Sequence, residues 1–123
     1  MRMEREPGIG GPLIAGFVGN GFRIQESRFD ALLMTTEDAQ PWSPPPLADL
    51  TVDAIPMLMA TRPEFILLGT GKTLTRPPAA FTAALEAQNI GVEPMDSRAA
   101  ARAWSVLRGE GRLIAAALYP LDA

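Results

Sequence analysis

Neither cysteine nor histidine occurs among the 123 residues of this sequence. Their absence removes thiolate nucleophiles, Cys/His zinc sites, cysteine-held iron–sulfur clusters, His-ligated haem and every Ser-His-Asp or Cys-His catalytic arrangement. Lysine is nearly missing as well, Lys72 being the only one, and Tyr119 is the only tyrosine. Acid–base or covalent chemistry is therefore confined to carboxylates, arginines, hydroxyls, Tyr119 and Lys72. Long apolar runs are also lacking. The longest uncharged stretch near the start, residues 7–22, contains six glycines and two prolines, too broken for a spanning helix of about 20 apolar residues. Glu4 and Glu6 interrupt what would otherwise be a basic leader, so the expected location is the cytoplasm of a bacterium, without processing.

What is present describes one globular domain. A chain of this length buries roughly two-thirds of the surface its unfolded form exposes, enough to fold without metal or disulfides. Eleven basic against fourteen acidic residues leave a formal charge of -3, and a pI near 4.9 argues against a general nucleic-acid binder, which needs a concentrated cationic face. Residues 1–61 carry four Arg against eight acids (-4), and residues 62–123 carry seven basic against six acidic residues (+1). No helix face collects the basic ones, so they read as solvated charge.

Residues 1–11, charged and then glycine-rich, read as a loose tail ahead of a single domain over 12–123. An apolar stretch at 12–18, the turn Gly19-Asn20-Gly21, alternation at Phe22-Arg23-Ile24, a second turn at 26–28 and an apolar run at 29–34 predict an N-terminal β-meander or hairpin that extends the sheet. Residues 40–47 hold Pro41, Pro44, Pro45 and Pro46 around Trp42. Such a segment is a polyproline-like surface loop, with a PxxP recognition peptide as the alternative. Asp53 is placed to cap a short helix reaching Ala60, with Pro56 in its first turn.

The second half is more regular. Residues 65–68 are continuously apolar, as expected of a strand covered on both faces, and lead into Gly69-Thr70-Gly71. Pro78 opens a helix with Phe81, Ala84 and Leu85 on one face, ending near Asn89. Residues 90–95 form a short strand in which Pro94 favours the strand's end or an edge position. Asp96 or Ser97 caps a helix with Ala100, Ala103, Trp104 and Leu107 on its apolar face and Gly109 as its stop. Residues 113–119 are a second continuous apolar run, closed by Pro120. Strand, helix, strand, helix, strand implies α/β layering, with 65–68 and 113–118 as adjacent central strands.

Three groups are candidate ligand-binding residues. Gly69-Thr70-Gly71-Lys72-Thr73 ends like a P-loop but lacks its first glycine, since Ile66 stands there, and Pro77-Pro78 delays the helix that should follow. Nucleotide hydrolysis is therefore not expected. The pair of glycines still permits close backbone approach to a ligand at the end of a strand. Glu110 and Arg112 straddle Gly111 where the last apolar run begins, either as a solvated ion pair or as a functional one. Asp96 and Ser97 stand at a helix N-terminus, where capping accounts for both. Trp104 reads as core. Trp42, Phe29 and Arg23 are the candidate partner-binding residues, since aromatics and arginine most often carry interface energy. Met57 and Met59 lie on opposite sides of a short helix and form no groove.

The segments at 64–71 and 90–97, with Ala100, Leu107, Glu110, Arg112 and the run 115–118, together resemble the mitochondrial complex I (NADH:ubiquinone oxidoreductase) assembly factor 3 family and its small bacterial and archaeal relatives. Pro12-Leu13-Ile14, Gly21 to Ile24 and Trp42 are similar to the bacterial members. Ser97 stands where relatives usually place Thr, and Ala103-Trp104-Ser105 replaces a Thr-Tyr-Asn segment. The resemblance implies a three-layer α/β fold with a mixed central sheet, no catalytic apparatus and no cofactor. It further implies a protein partner among respiratory-complex subunits or other assembly factors, and peripheral association with the inner membrane.

The resulting expectation is a non-enzymatic assembly factor of α/β class, without a metal. The alternative is a small-ligand-binding protein or weak enzyme using Gly69, Thr70 and Gly71 with Asp96, Glu110 and Arg112. The relative direction of the two central strands separates these arrangements. An antiparallel pair, favoured by the mixed sheet of the resembled family, would bring Glu110 and Arg112 beside the glycine loop, whereas two plain right-handed crossovers would make the strands parallel and the pair remote.

Overall fold

The computed structural model describes residues 10–123. Its strands are β1 (Gly16–Val18), β2 (Gly21–Ile24), β3 (Ser27–Phe29), β4 (Leu32–Met34), β5 (Ala39–Pro41), β6 (Phe65–Gly69), β7 (Gly91–Met95) and β8 (Ala115–Leu118). Its helices are α1 (Pro56–Met59), α2 (Ala79–Glu86) and α3 (Ser97–Gly109), preceded by 3-10 turns at Leu47–Asp49 and Val52–Ala54. Five strands form the central sheet in the order β5-β4-β8-β6-β7, and β1-β2-β3 form a separate sheet.

The two apolar runs are adjacent, as expected: β6 lies between β7 and β8, with Leu67 opposite Ala116 and Leu68 opposite Ala117. Their direction is parallel, against the antiparallel expectation. The reason is in the connections. From β6 the chain crosses outward through α2 to β7, then back through α3 past β6 to β8. Two crossovers of one hand running in opposite directions make parallel strands and put their helices on opposite faces. The sheet is mixed because β4 pairs antiparallel with β8.

Side-chain alternation divides the core accordingly. Leu67, Ala116 and Leu118 face α3 through Ala100, Ala101 and Trp104, together with Phe22 and Ile24 of the small sheet. Ile66, Leu68, Ala115 and Ala117 face Phe81 and Leu85 of α2, Leu58 of α1 and the residues of the two 3-10 turns. These are the three layers. Alanines at 115–117 allow helices on both sides to approach a strand of which every residue is buried.

Several boundaries differ from expectation. The meander does not extend the central sheet, because Asp30 and Ala31 divide the 29–34 run between β3 of one sheet and β4 of the other. Its second turn falls at Gln25 and Glu26, and Ser27 and Arg28 belong to β3. The proline segment begins with an edge strand, β5. Asp53 lies inside a 3-10 turn rather than capping α1, whose N-cap is Ile55. Gly109 is helical, and the chain leaves α3 through Gly111, whose φ of 75° is the left-handed value a helix stop requires. Pro94 lies on an edge strand, as its missing N–H demands. The tail expectation falls mostly on residues 1–9, outside the described residues. Gly10 and Gly11 are not loose: the Gly10 carbonyl accepts from Arg108 and Gly11 packs on Thr36.

Candidate functional site

The carboxyl ends of β6, β7 and β8 gather Gly69, Thr70, Gly71, Asp96 and Ser97, where open α/β sheets usually bind ligands. Here the protein fills the position itself. Ser97, fully buried, accepts from the Gly71 N–H at 2.9 Å and donates to the Tyr119 carbonyl at 2.8 Å. Its own N–H donates to the Gly71 carbonyl at 2.8 Å. Thr70 donates through its hydroxyl to the Thr73 carbonyl at 2.7 Å and accepts from the Thr75 N–H, folding residues 70–75 into a closed turn.

The glycines serve close approach, toward the chain rather than a ligand. A Cβ at Gly69 would stand 2.8 Å from Ser97 Oγ and 2.9 Å from Leu118 Cδ2. One at Gly71, where φ is 110°, would stand 2.5 Å from the Ala123 carbonyl oxygen, which also accepts from the Lys72 N–H. Asp96 caps α3 by accepting from the Ala99 N–H at 3.0 Å. Of the two expected candidates at this helix start, Asp96 is the cap and Ser97 is the clasp between strands. The serine's place in a strand-to-helix turn gave no sequence signal for the second role.

Glu110 and Arg112 lie at the other end of the sheet, because β8 runs parallel to β6. They do not join Gly69, Thr70 and Gly71, and the combined site is excluded. They also precede the strand, which begins at Ala115. The principal partner of Arg112 is Glu64, whose Oε1 accepts from both Nε and Nη2 at 3.1 and 3.0 Å, while Glu110 stands 3.9 Å away. The Leu113 N–H donates to the second oxygen of Glu64. The Arg112 hydrogen bonds, then that N–H, hold the Glu64 carboxyl below its ordinary range. Arg112 also lies 5.4 Å over the Phe65 ring. This solvent-exposed cluster ties the turn after α3 to the start of β6, a structural role.

The partner candidates divide. Phe29 lines two adjoining clefts of about 450 and 510 Å³ between the small sheet and the β5 edge, and Trp42 lines the larger. Trp42 is only partly exposed. Its indole N–H donates to the Ala54 carbonyl at 3.0 Å, and its ring meets Tyr119 edge-on, with centroids 5.1 Å apart. The Tyr119 hydroxyl donates to the Pro45 carbonyl at 2.7 Å. Burial, reinforced by the Asp49 charge, pushes this phenol up to about 12. The two aromatics thus fasten the proline segment to the sheet. Arg23 is exposed on β2 and, among the described residues, donates to the Gln25 carbonyl at 3.2 Å.

No helix among the described residues is long and apolar enough to cross a membrane, and no cluster of acidic side chains there is arranged to hold a metal. The chain is 36% identical over 119 residues to an uncharacterised protein of Rhodobacter capsulatus, covering 95% of this chain and 92% of that one. Its fold is similar to the crystal structure of a Bordetella parapertussis protein, with a TM-score of 0.81 at 28% identity, covering 89% of this chain and 95% of that one. It is similar also to the solution structure of a Bordetella pertussis protein described as a Mth938-like domain, with a TM-score of 0.79 at 23% identity, covering 99% and 92%. Residues 14–119, from the arm before β1 to the tyrosine after β8, match the family described as protein of unknown function (DUF498/DUF598), and the chain belongs to it.

Proposed function

We propose that this chain is a non-enzymatic protein-binding factor that assists assembly of a membrane respiratory complex of the complex I type. One contrast within the fold carries the reading. The carboxyl-end loop, where a ligand would bind an open α/β sheet, is filled by Ser97, Leu118 and the Ala123 backbone. The clefts beside Phe29 and Trp42 are open. Aromatic side chains at such clefts are the usual anchors of protein interfaces. The respiratory partner comes from the resemblance of residues 64–121 to the assembly factor 3 family.

Affinity purification of the full chain from its host, with detergent-solubilised membranes, tests this. Respiratory-complex subunits are expected among the captured proteins. Arg23→Ala should weaken that capture with little change in melting temperature, whereas Phe29→Ala should weaken it and also lower the melting temperature, because Phe29 packs against the core. Trp42→Ala should weaken it and also destabilise, because the indole holds the proline segment. Capture of no respiratory subunit by the wild-type chain would overturn the proposal.

A further inference from the structure

The N-terminal arm and α3 form a second surface, remote in character from the clefts beside Phe29. Trp104 donates its indole N–H to the Pro12 carbonyl at 3.1 Å, which lays the arm along the helix. The arm continues into Phe17 of β1, and two arginines of α3 converge on its ring: the Arg98 guanidinium lies 4.6 Å from the centroid and that of Arg102 lies 6.0 Å away. Arg98, Arg102 and Val106 follow one another at i, i+4 spacing, so, against the expectation that no helix face collects the basic residues, two arginines share one stripe of α3.

Three features mark this stripe. First, Arg98 and Arg102 have no carboxylate partner among the described residues, whereas Arg28 is paired with Asp30 and Arg112 with Glu64. The Phe17 face holds the Arg98 guanidinium close, with that of Arg102 at the outer reach of the ring, and both side chains are exposed. Second, Val106, the next position along the stripe, is 64% exposed. Third, a cleft of about 270 Å³ opens between the arm and α3, with Phe17, Ala101 and Arg102 in its wall.

We infer that this surface docks an acidic segment of a partner protein, its carboxylates pairing with Arg98 and Arg102 and an adjoining apolar side chain entering the cleft beside Phe17. Charge complementarity selects the occupant. The forks match carboxylates in a bidentate manner. A nucleic acid is a poor fit, because two arginines on a chain of net charge -3 cannot neutralise a phosphate backbone. The same net charge repels acidic proteins elsewhere on the molecule, so the local pair supplies register and specificity. This inference deepens the protein-binding reading and rests on it.

Selection of a random-peptide phage library on the full chain, with counter-selection on R98E/R102E, tests it. Both side chains are exposed, and R98Q/R102Q serves as a second variant if charge reversal disturbs folding. Peptides retained by the wild type and lost on the variant are expected to carry Asp or Glu flanking an apolar residue. A synthetic consensus peptide should bind the double variants about tenfold more weakly, the loss of two exposed charge-assisted contacts. Equal enrichment on both proteins, enrichment of basic peptides, or arginine-dependent binding to anionic phospholipid vesicles without any selected peptide would overturn it. Failure of this selection leaves the capture of respiratory subunits untouched. Success of the selection with failed capture removes only the identity of the complex.

Discussion

Ser97 shows how a single small side chain closes the end of a sheet. Its hydroxyl joins the Gly71 N–H to the Tyr119 carbonyl in a site without solvent. Ser97→Ala leaves both groups unsatisfied and should cost about 1–3 kcal/mol, read as a lower denaturant midpoint with an unchanged slope. Gly71→Ala should cost a similar amount or more, since the new methyl meets the Ala123 backbone at a positive φ. Both glycines are visible in the sequence as a loop after a strand; what fills the space they leave is not. The filling comes from α3 and the residues after β8, 26 and 52 positions away from Gly71, and local pattern carries no such information. Tyr119 offers a clean spectroscopic test, being the only tyrosine. Its phenol should titrate near 12 in the folded protein by ultraviolet absorbance and near the ordinary value of about 10 in denaturant. Because the folded value is raised, its stabilising contribution is complete below about pH 10 and is lost as pH climbs toward 12.

At the scale of elements, continuous apolarity identified β6 and β8 because only strands covered on both faces tolerate it. Leu67→Asp should abolish cooperative melting, since it places an unpaired charge at a fully buried position between α3 and the sheet. Strand direction was not legible in the apolar runs themselves, which read the same both ways, although the strand, helix, strand, helix, strand order offered the parallel arrangement that the fold adopts. The crossovers decide it. The mixed character that suggested an antiparallel β6–β8 pair is supplied instead by the three-residue strand β4. Proline placement was legible as an edge signal, and the hydrogen bonds explain it further. The Trp42 N–H donates to Ala31 and the Thr35 N–H to Asp38, so Ala39 and Pro41 point away from β4. Pro41 has no N–H to offer there, and the Ala39 N–H is taken by the Asp38 side chain. On the opposite edge, Gly91 and Met95 bond toward β6, leaving Val92 and Pro94 outward. Both edges of the central sheet are thus short of free donors, which discourages pairing with other chains. Replacing Pro41 and Pro94 together by valine should produce concentration-dependent association in sedimentation velocity, where the parent chain shows less.

For the whole molecule, the sheet separates two ends with different duties. The amino ends are tied by Glu64 and Arg112, and because the Glu64 carboxyl is lowered, this exposed contact contributes fully above the ordinary carboxylate range and is lost as pH falls below it. The carboxyl ends are clasped by Ser97 and the glycines, while clefts stay open around Phe29, between the small sheet and the β5 edge, and around Phe17, between the arm and α3. A sequence without histidine, cysteine or an intact nucleotide motif already pointed away from the common catalytic arrangements. It did not reveal that Phe29 would face two clefts, since that depends on the chain leaving one sheet for another at Asp30. The claim that these surfaces serve assembly of a respiratory complex is tested most directly in a strain lacking this chain, by native electrophoresis of solubilised membranes stained for NADH dehydrogenase activity. Less full-size complex and an accumulated subassembly are expected, restored by the wild-type chain and poorly by Arg23→Ala, whose side chain is exposed. A full complement of the complex in the deletion strain would contradict it.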